Sequence, residues 1–201
     1  MNFKENELKD WFKSLVDYLP NLPIKSNLRN DTIRVEILGR LASQFLTDDE
    51  RAKFLNLPKG CRIREGAKIV SQDKLEIGEY CNIAENAIVD ASGGLYIGPH
   101  TTIGVSSYIW SHSSHLNNLK MNNQIGSDLI MRKKTSIGAG CFIGGPSVVL
   151  PGTKIGDKCL IQPFSVVSGN VPSRSLVSAK EIKKGFLTES KIEIMLKLSK
   201  N

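Results

Sequence analysis

Residues 137–167 read IGAGCFIGGPSVVLPGTKIGDKCLIQPFSVV, and a branched aliphatic residue returns at every sixth position of this stretch. The aliphatic positions are Ile137, Ile143, Val149, Ile155, Ile161 and Val167. A small side chain stands four residues after each of the first five: Cys141, Ser147, Thr153, Cys159 and Ser165. Neither an amphipathic helix nor an alternating strand has this period, so the pattern indicates a repeated supersecondary unit.

The six-residue period predicts a coil of short parallel strands. Each unit would supply one strand and one turn, and about three units would close one triangular coil of a solenoid. Gly138, Gly144 and Gly156 follow three of the aliphatics, which suits a sharp turn at the same place in each repeat. A single coil cannot bury its own apolar face, so several coils must stack.

The preceding part of the chain keeps the same period. Its aliphatic positions are Leu57, Ile63, Ile69 and Leu75, then Ile77, Ile83 and Val89, then Ile97, Ile103 and Ile109. The phase slips after Leu75, around residues 92–94, and most widely after Ile109, which predicts loops that leave the coil. The widest loop, residues 112–130, is long enough to suggest a function. We expect the solenoid to occupy residues 57–178.

Apolar residues at helical spacing precede and follow this region. Residues 1–56 are predicted to form a cap of three helices that covers the open end of the first coil: Leu8–Leu19, a helix from Asn30 or Asp31 to Phe45, and a short helix from Thr47 to Leu55. Within a tail at 179–201, residues 188–199 are predicted to form a further helix.

Charge and hydropathy restrict the partners and the location. The net charge of +7 favours anionic partners, such as a phosphate-bearing cofactor or a phospholipid surface. Nucleic acid is not expected, because no basic block is interleaved with aromatic residues. No apolar run reaches membrane-spanning length, and Glu5, Glu7 and Asp10 are unlike a secretory leader. The sequence predicts a cytoplasmic protein without a transmembrane segment, with peripheral membrane contact left open.

Cysteine and histidine positions give few candidates for chemistry. All four cysteines, Cys61, Cys81, Cys141 and Cys159, occupy the small position of the repeat, so we expect buried free thiols and no metal site. His112 and His115 lie at the mouth of the widest loop, where functional residues concentrate. Either histidine could be catalytic, or both could be ordinary exposed loop residues. His100 is expected to be a solvated turn residue.

The closing repeats resemble the hexapeptide-repeat acyltransferases, in the branch of sugar and xenobiotic O-acetyltransferases. The resemblance rests on TSIGAGCFIGG at 135–145, LPGTKIGD at 150–157 and SVV at 165–167. It implies a mainly β fold, a left-handed parallel β-helix. It also implies a homotrimer with active sites between subunits, and acetyl-CoA as co-substrate in a groove between adjacent coils.

The resemblance also implies roles for particular residues. A histidine acts as general base; His115, six residues after Ile109, is preferred, and His112 is the second choice. The positions that match the acetyl-CoA contacts of the family are Phe142, Gly144, Gly145, Pro163, Ser168, Lys180 and Lys183.

The expected reaction is transfer of an acetyl group to a hydroxyl of a sugar or surface-polysaccharide precursor. Three alternatives remain open: N-acetylation of an amino sugar, acetylation of a xenobiotic, and a solenoid that binds without catalysis. A zinc enzyme on the same scaffold would need three converging histidines, and the spacing of His100, His112 and His115 does not match that arrangement.

Overall fold

The structure, a computed structural model, describes residues 28–121 and 128–178, together with positions 14, 190, 193, 194 and 197. The chain divides into two compact units, Met1–Thr47 and Asp48–Asn201. The predicted helix Leu8–Leu19 lies outside the described residues except for Ser14, which is helical. Of the predicted helix at 188–199, only Ser190, Glu193, Ile194 and Lys197 are described, and all four are helical.

The described part of the first unit is dominated by helix α1, Leu28–Ser43. It begins slightly before the predicted Asn30 or Asp31 and ends two residues before Phe45. Leu38 is buried, and Arg40 pairs with Glu36 one turn earlier, with 3.5 Å between Nη1 and Oε2. Among the described residues, no helix is both long and apolar enough to cross a bilayer.

The second unit is a solenoid with three parallel sheets, through which the strands pass in rotation. Sheet one contains β1 (Arg62–Ile63), β4 (Asn82–Ile83), β7 (Thr102–Ile103), β12 (Phe142–Ile143), β15 (Leu160–Ile161) and β18 (Leu176–Val177). Sheet two contains β2 (Lys68–Val70), β5 (Ile88–Asp90), β8 (Tyr108–Ile109), β13 (Val148–Val149) and β16 (Val166–Val167). Sheet three contains β3 (Leu75–Ile77), β6 (Leu95–Ile97), β11 (Thr135–Ile137), β14 (Lys154–Ile155) and β17 (Asn170–Val171). The predicted left-handed parallel β-helix is confirmed.

Four further elements interrupt this rotation. A single turn of 3₁₀ helix, Gln72–Lys74, lies at the first predicted phase slip. The widest predicted loop begins with β9 (His112–Ser113) and α3 (His115–Leu119) and returns through β10 (Met131–Arg132). Strands β9 and β10 pair antiparallel to each other.

Three corners join the sheets of the prism, and they position the candidate site. The first corner, between sheets one and two, is formed by residues 64–67, 84–87, 104–107, 144–147 and 162–165. The second corner, between sheets two and three, is formed by residues 71–74, 91–94, 110–121, 128–134, 150–153 and 168–169. The third corner connects sheet three to sheet one of the next coil.

Aliphatic side chains stack along the interior of the prism. In sheet one, Ile63 aligns with Ile83, Ile83 with Ile103, and Ile103 with Ile143. These side chains are almost completely buried, as the six-residue period requires. The loop between Ile109 and Ile137 is therefore accommodated without a change of register, because the coil resumes where it was left.

Helix α2, Asp48–Phe54, covers the open end of the first coil. Ala52 joins the apolar core of the solenoid, and the buried Arg51 donates from Nη1 to the backbone oxygen of Ile63 at 2.5 Å. Gln72 donates a side-chain hydrogen bond to the backbone oxygen of Leu55. The bond from Arg51 satisfies a backbone oxygen of β1 that has no preceding coil to pair with, and the bond from Gln72 ties the end of α2 to the first coil.

All four cysteines are free and buried, as predicted. Their thiols donate to backbone oxygens of the third corner, for example Cys81 Sγ to Gly98 O at 3.2 Å. Burial raises the pKa of Cys61, Cys81 and Cys141, and that of Cys81 reaches about 11. These side chains therefore fill space and are poor nucleophiles at neutral pH.

We expect the native protein to react very slowly with Ellman's reagent at pH 8. With a pKa of about 11, only about one Cys81 thiol in a thousand is ionised at that pH. The measurement is the rate of thiol titration with and without guanidinium chloride. Full colour is expected only after unfolding, and rapid titration of several thiols in the native protein would contradict the burial.

Candidate active site

The candidate site lies at the second corner, where the chain leaves the prism after β8. The base of the departing loop is held on both sides: Lys133 N donates to Ser111 O at 2.9 Å, and Thr135 Oγ1 donates to Trp110 O at 2.7 Å. Trp110 N also donates to Val149 O on the next coil at 2.9 Å. The residues at the loop mouth are thereby fixed against the rigid part of the solenoid.

Asp90 and His112 meet at this corner because the coils stack in register. Val89 aligns with Ile109, so Asp90 at the end of β5 lies beneath the residues that follow β8. His112 Nδ1 is 2.7 Å from Asp90 Oδ2, and Ser92 Oγ is 2.8 Å from the same nitrogen. Asp90 is fully buried, whereas the His112 side chain is 35% exposed.

Two further groups hold the Asp90 carboxylate. Ser111 donates to Oδ2 from its backbone N at 3.1 Å and from its hydroxyl at 3.2 Å, and Ser92 N donates to Oδ1 at 3.2 Å. Burial by itself would raise the pKa of Asp90. The hydrogen bonds from His112, Ser111 and Ser92 outweigh that effect and hold the pKa below its ordinary value of 3.8.

The ionised carboxylate determines which imidazole nitrogen carries the proton. An ionised carboxylate only accepts hydrogen bonds, so His112 Nδ1 must donate to Asp90. The lone pair is then on Nε2, which is the arrangement of a general base whose ring is oriented by a carboxylate. Trp110 packs edge-on against the same ring, with 6.2 Å between centroids.

His115 has a different environment. It is the first residue of α3, it is partly buried, and its Nδ1 lies 2.7 Å from the hydroxyl of Ser113. In the described ranges it has no carboxylate partner. His100 is exposed at the third corner and stacks on Tyr80, with 5.0 Å between ring centroids. No cluster of three or more metal-binding side chains occurs among the residues that the structure describes.

The structure separates the predicted acetyl-CoA positions into two groups. Phe142 is the outward residue of β12, and Gly144, Gly145 and Pro163 follow at the first corner. Ser168 is exposed at the second corner, the same corner as His112. Lys180 and Lys183 lie outside the described residues.

The two glycines are explained by the stacking of turns. A Cβ on Gly144 would lie 2.8 Å from Ile161 O, and one on Gly145 would overlap the backbone oxygen of Val105. Backbone atoms cannot move aside as the tip of a side chain can. Both positions therefore require glycine even when no ligand is bound. Their contact with acetyl-CoA stays a prediction.

We expect Gly145→Ala to lower the melting temperature by about 2–12 °C, because a methyl group forced against backbone costs about 1–3 kcal/mol. The measurement is a thermal melt followed by circular dichroism. Gly39→Ala is the control, since a Cβ there meets nothing within 4 Å. An unchanged melting temperature for Gly145→Ala would show that the turn relaxes freely.

Apolar side chains are exposed at and beside the first corner. Phe142 and Val105 are each 49% exposed, and Phe164 is 74% exposed. Exposed aromatic and aliphatic side chains that lie together commonly mark a surface that binds a ligand or a partner.

Asp90 was not singled out from the sequence. A signal was present, because the aliphatic positions 89 and 109 are one coil apart, which places residue 90 beneath residue 110. Using that signal requires the number of residues in this particular coil, and the phase slip around residues 92–94 obscures it.

Comparison with known proteins agrees with this fold. Residues 134–169 match the family model described as bacterial transferase hexapeptide (six repeats). The chain is 27% identical over 162 residues to the bifunctional protein GlmU of Wolbachia pipientis wMel, covering 70% of this chain and 37% of that protein. It is 30% identical over 132 residues to a chloramphenicol acetyltransferase of Klebsiella aerogenes, covering 63% of this chain and 58% of that protein. The chain thus spans about a third to somewhat over half of the length of these relatives.

A solved structure shows the same architecture. A hexapeptide-repeat acetyltransferase of Vibrio cholerae O1 biovar eltor, crystallised with acetyl coenzyme A, superposes with a TM-score of 0.62 at 21% identity, covering 77% of this chain and 86% of that one. The repeat and the three-sheet prism define the class of this protein, a hexapeptide-repeat left-handed β-helix. The resemblance to the hexapeptide-repeat acyltransferases is confirmed at the level of repeat and fold.

Proposed function

We propose that this protein is an acetyl-CoA-dependent acetyltransferase that acetylates a hydroxyl of a sugar or surface-polysaccharide precursor. The observation that carries the proposal is the 2.7 Å contact between His112 Nδ1 and Asp90 Oδ2. It supplies an oriented imidazole at the mouth of a loop, on the scaffold shared with an acetyltransferase that binds acetyl coenzyme A. We place the protein in the cytoplasm, where acetyl-CoA is available.

In the proposed reaction His112 is the general base. Its Nε2 takes the proton of the acceptor hydroxyl as the oxygen attacks the thioester carbonyl carbon. The tetrahedral intermediate collapses with cleavage of the carbon–sulfur bond, and the imidazolium returns the proton to the departing thiolate. The buried Asp90 carboxylate stabilises the imidazolium in between. His115, preferred from the sequence, remains the alternative base and stays a prediction.

Acetyl-CoA is proposed to lie along the first corner, with Phe142, Gly144, Gly145 and Pro163 beside the pantetheine arm. Ser168 would lie near the adenine end, and Lys180 and Lys183 would meet the phosphates. Within one chain the first corner and His112 belong to different corners of the prism. A homotrimer in which the second corner of one subunit faces the first corner of its neighbour would bring them together.

The test is release of free thiol from acetyl-CoA in the presence of a panel of sugars and amino sugars. Mass spectrometry of the product identifies the acetylated acceptor. Mild hydroxylamine treatment cleaves an O-acetyl ester but not an N-acetyl amide, so it separates the two reactions. Thiol release that never exceeds the rate with acetyl-CoA alone would favour a solenoid that binds without catalysis.

A further inference from the structure

Arg132 lies directly opposite His112 in the small antiparallel ribbon at the loop mouth. The register pairs Arg132 with His112 and Met131 with Ser113. Lys133 N donates to Ser111 O, so the neighbouring pair, Lys133 and Ser111, is a hydrogen-bonded pair of the ribbon. The ladder alternates, and Arg132 and His112 therefore form a non-hydrogen-bonded pair, in which the two side chains lie closest together on one face.

The two cations that follow Arg132 are engaged elsewhere. Lys134 Nζ is 2.7 Å from Glu76 Oε1 on sheet three. Lys133 packs its methylene groups against Gly152, where an added Cβ would lie 3.1 Å from Lys133 Cβ. Arg132 is exposed and makes no ion pair within ranges 28–121 and 128–178. Of residues 132–134, Arg132 is therefore the cation that lies opposite His112 in the ribbon and makes no ion pair within the described ranges.

The arrangement of charge at the site favours a negatively charged ligand. Asp90 is fully buried behind the imidazole and is already held by His112, Ser111 and Ser92. Asp90 is therefore shielded from a ligand that approaches from solvent, whereas the exposed Arg132 is accessible to it. Arginine presents a planar fork of donors that matches a carboxylate or a phosphate.

We propose that Arg132 determines acceptor specificity by binding an anionic group, a carboxylate or a phosphate monoester, on the acceptor. This contact holds the acceptor so that a neighbouring hydroxyl lies at His112 Nε2. The inference rests on the proposed acetyltransferase function and makes it more specific, because it restricts the acceptor to acidic or phosphorylated sugars. Arg132 is a binding residue in this scheme and exchanges no proton.

The test compares three probe acceptors that share a pyranose ring: methyl glucoside, methyl glucuronide and glucose 1-phosphate. For the wild-type protein we expect kcat/KM to be higher for at least one anionic probe than for the neutral one. Arg132→Gln should lower the ratio of anionic to neutral kcat/KM by about 10- to 100-fold, mainly through KM, because a charge-assisted hydrogen bond is lost. Arg132→Lys should restore part of the ratio. Comparison of methyl glucuronide with glucose 1-phosphate shows whether Arg132 binds a carboxylate or a phosphate.

Lys134→Gln is the matched control, because it also removes one positive charge from this loop, but at a side chain that is already paired with Glu76. Its ratio should change less than about twofold if the effect depends on position and not on net charge. Equal loss of kcat for neutral and anionic probes in Arg132→Gln would overturn the proposal, because it would indicate stabilisation of the transition state. Preference for the neutral probe in the wild type would overturn it as well.

A binding measurement separates this inference from the proposed function. Saturation-transfer NMR with the same three probes reports binding even if no acetyl group is transferred. Binding of an anionic probe that Arg132→Gln abolishes supports the inference even if no acceptor is acetylated. If thiol release occurs but no anionic probe binds better than methyl glucoside, the proposed function survives and the inference fails.

Discussion

Replacement of His112 by alanine is expected to lower kcat/KM for acetyl transfer by about 10²–10⁴, the usual contribution of a positioned general base. An alcohol is a poor nucleophile at neutral pH, and His112 is the histidine of the described loop mouth that has a carboxylate partner. The measurement is thiol release from acetyl-CoA with the acceptor found in the panel. The loss should appear in kcat, because the base acts on the acceptor only as the bond forms.

Two further variants make this prediction specific. His115→Ala measures the alternative base in the same loop, and we expect a smaller loss than for His112→Ala. His100→Asn removes an exposed histidine from the third corner, and asparagine tolerates its positive φ of 58°. It should leave the rate unchanged. If His115→Ala abolishes turnover and His112→Ala does not, the roles of the two histidines are reversed.

Replacement of Asp90 by asparagine is expected to lower kcat by about a hundredfold or more. The carboxamide can donate as well as accept, so it no longer forces the proton onto His112 Nδ1, and it cannot stabilise the imidazolium with a negative charge. The measurement is the same assay, with Asp49→Asn as control because Asp49 is an exposed carboxylate on α2 that pairs with Lys53 at 3.3 Å. A variant as active as the wild type would show that Asp90 has only a structural role.

Asp90 should also affect the pH dependence of stability. Its pKa is lower in the folded than in the unfolded state, so its hydrogen bonds stabilise the fold fully above the ordinary value of 3.8 and are lost as the pH falls through the folded pKa. The melting temperature of the wild type should therefore drop more steeply below about pH 4 than that of Asp90→Asn. Parallel curves for the two proteins would contradict the lowered pKa.

The solenoid could be predicted because its signal is local and repeated. Each aliphatic at the six-residue spacing, such as Ile143 or Ile155, reports the same environment, and agreement among several coils excludes other periods. The helix that covers the first coil, α2, could also be predicted from the spacing of its apolar residues. In the structure the chain divides after Thr47, so α2 belongs to the same compact unit as the solenoid. Helical spacing does not show which neighbour a helix packs against, so the cap at residues 1–56 stays a prediction.

The candidate site was only partly predictable. The loop and both histidines could be identified from the break in the repeat, but the order of preference between His112 and His115 rested on resemblance alone. The structure adds the carboxylate at His112 and the serine hydroxyl at His115. Both partners come from backbone geometry that the spacing of the histidines does not contain.

The sequence by itself determined the prism, its apolar interior and the position of the large loop, because burial of a six-residue period constrains every coil in the same way. Only the tertiary structure decided which charged groups meet. Asp90 contacts His112 through the stacking of one coil on another, and Arg132 lies opposite His112 through the register of a two-stranded ribbon. Such contacts depend on the residue count of individual coils and loops, which no repeated pattern encodes.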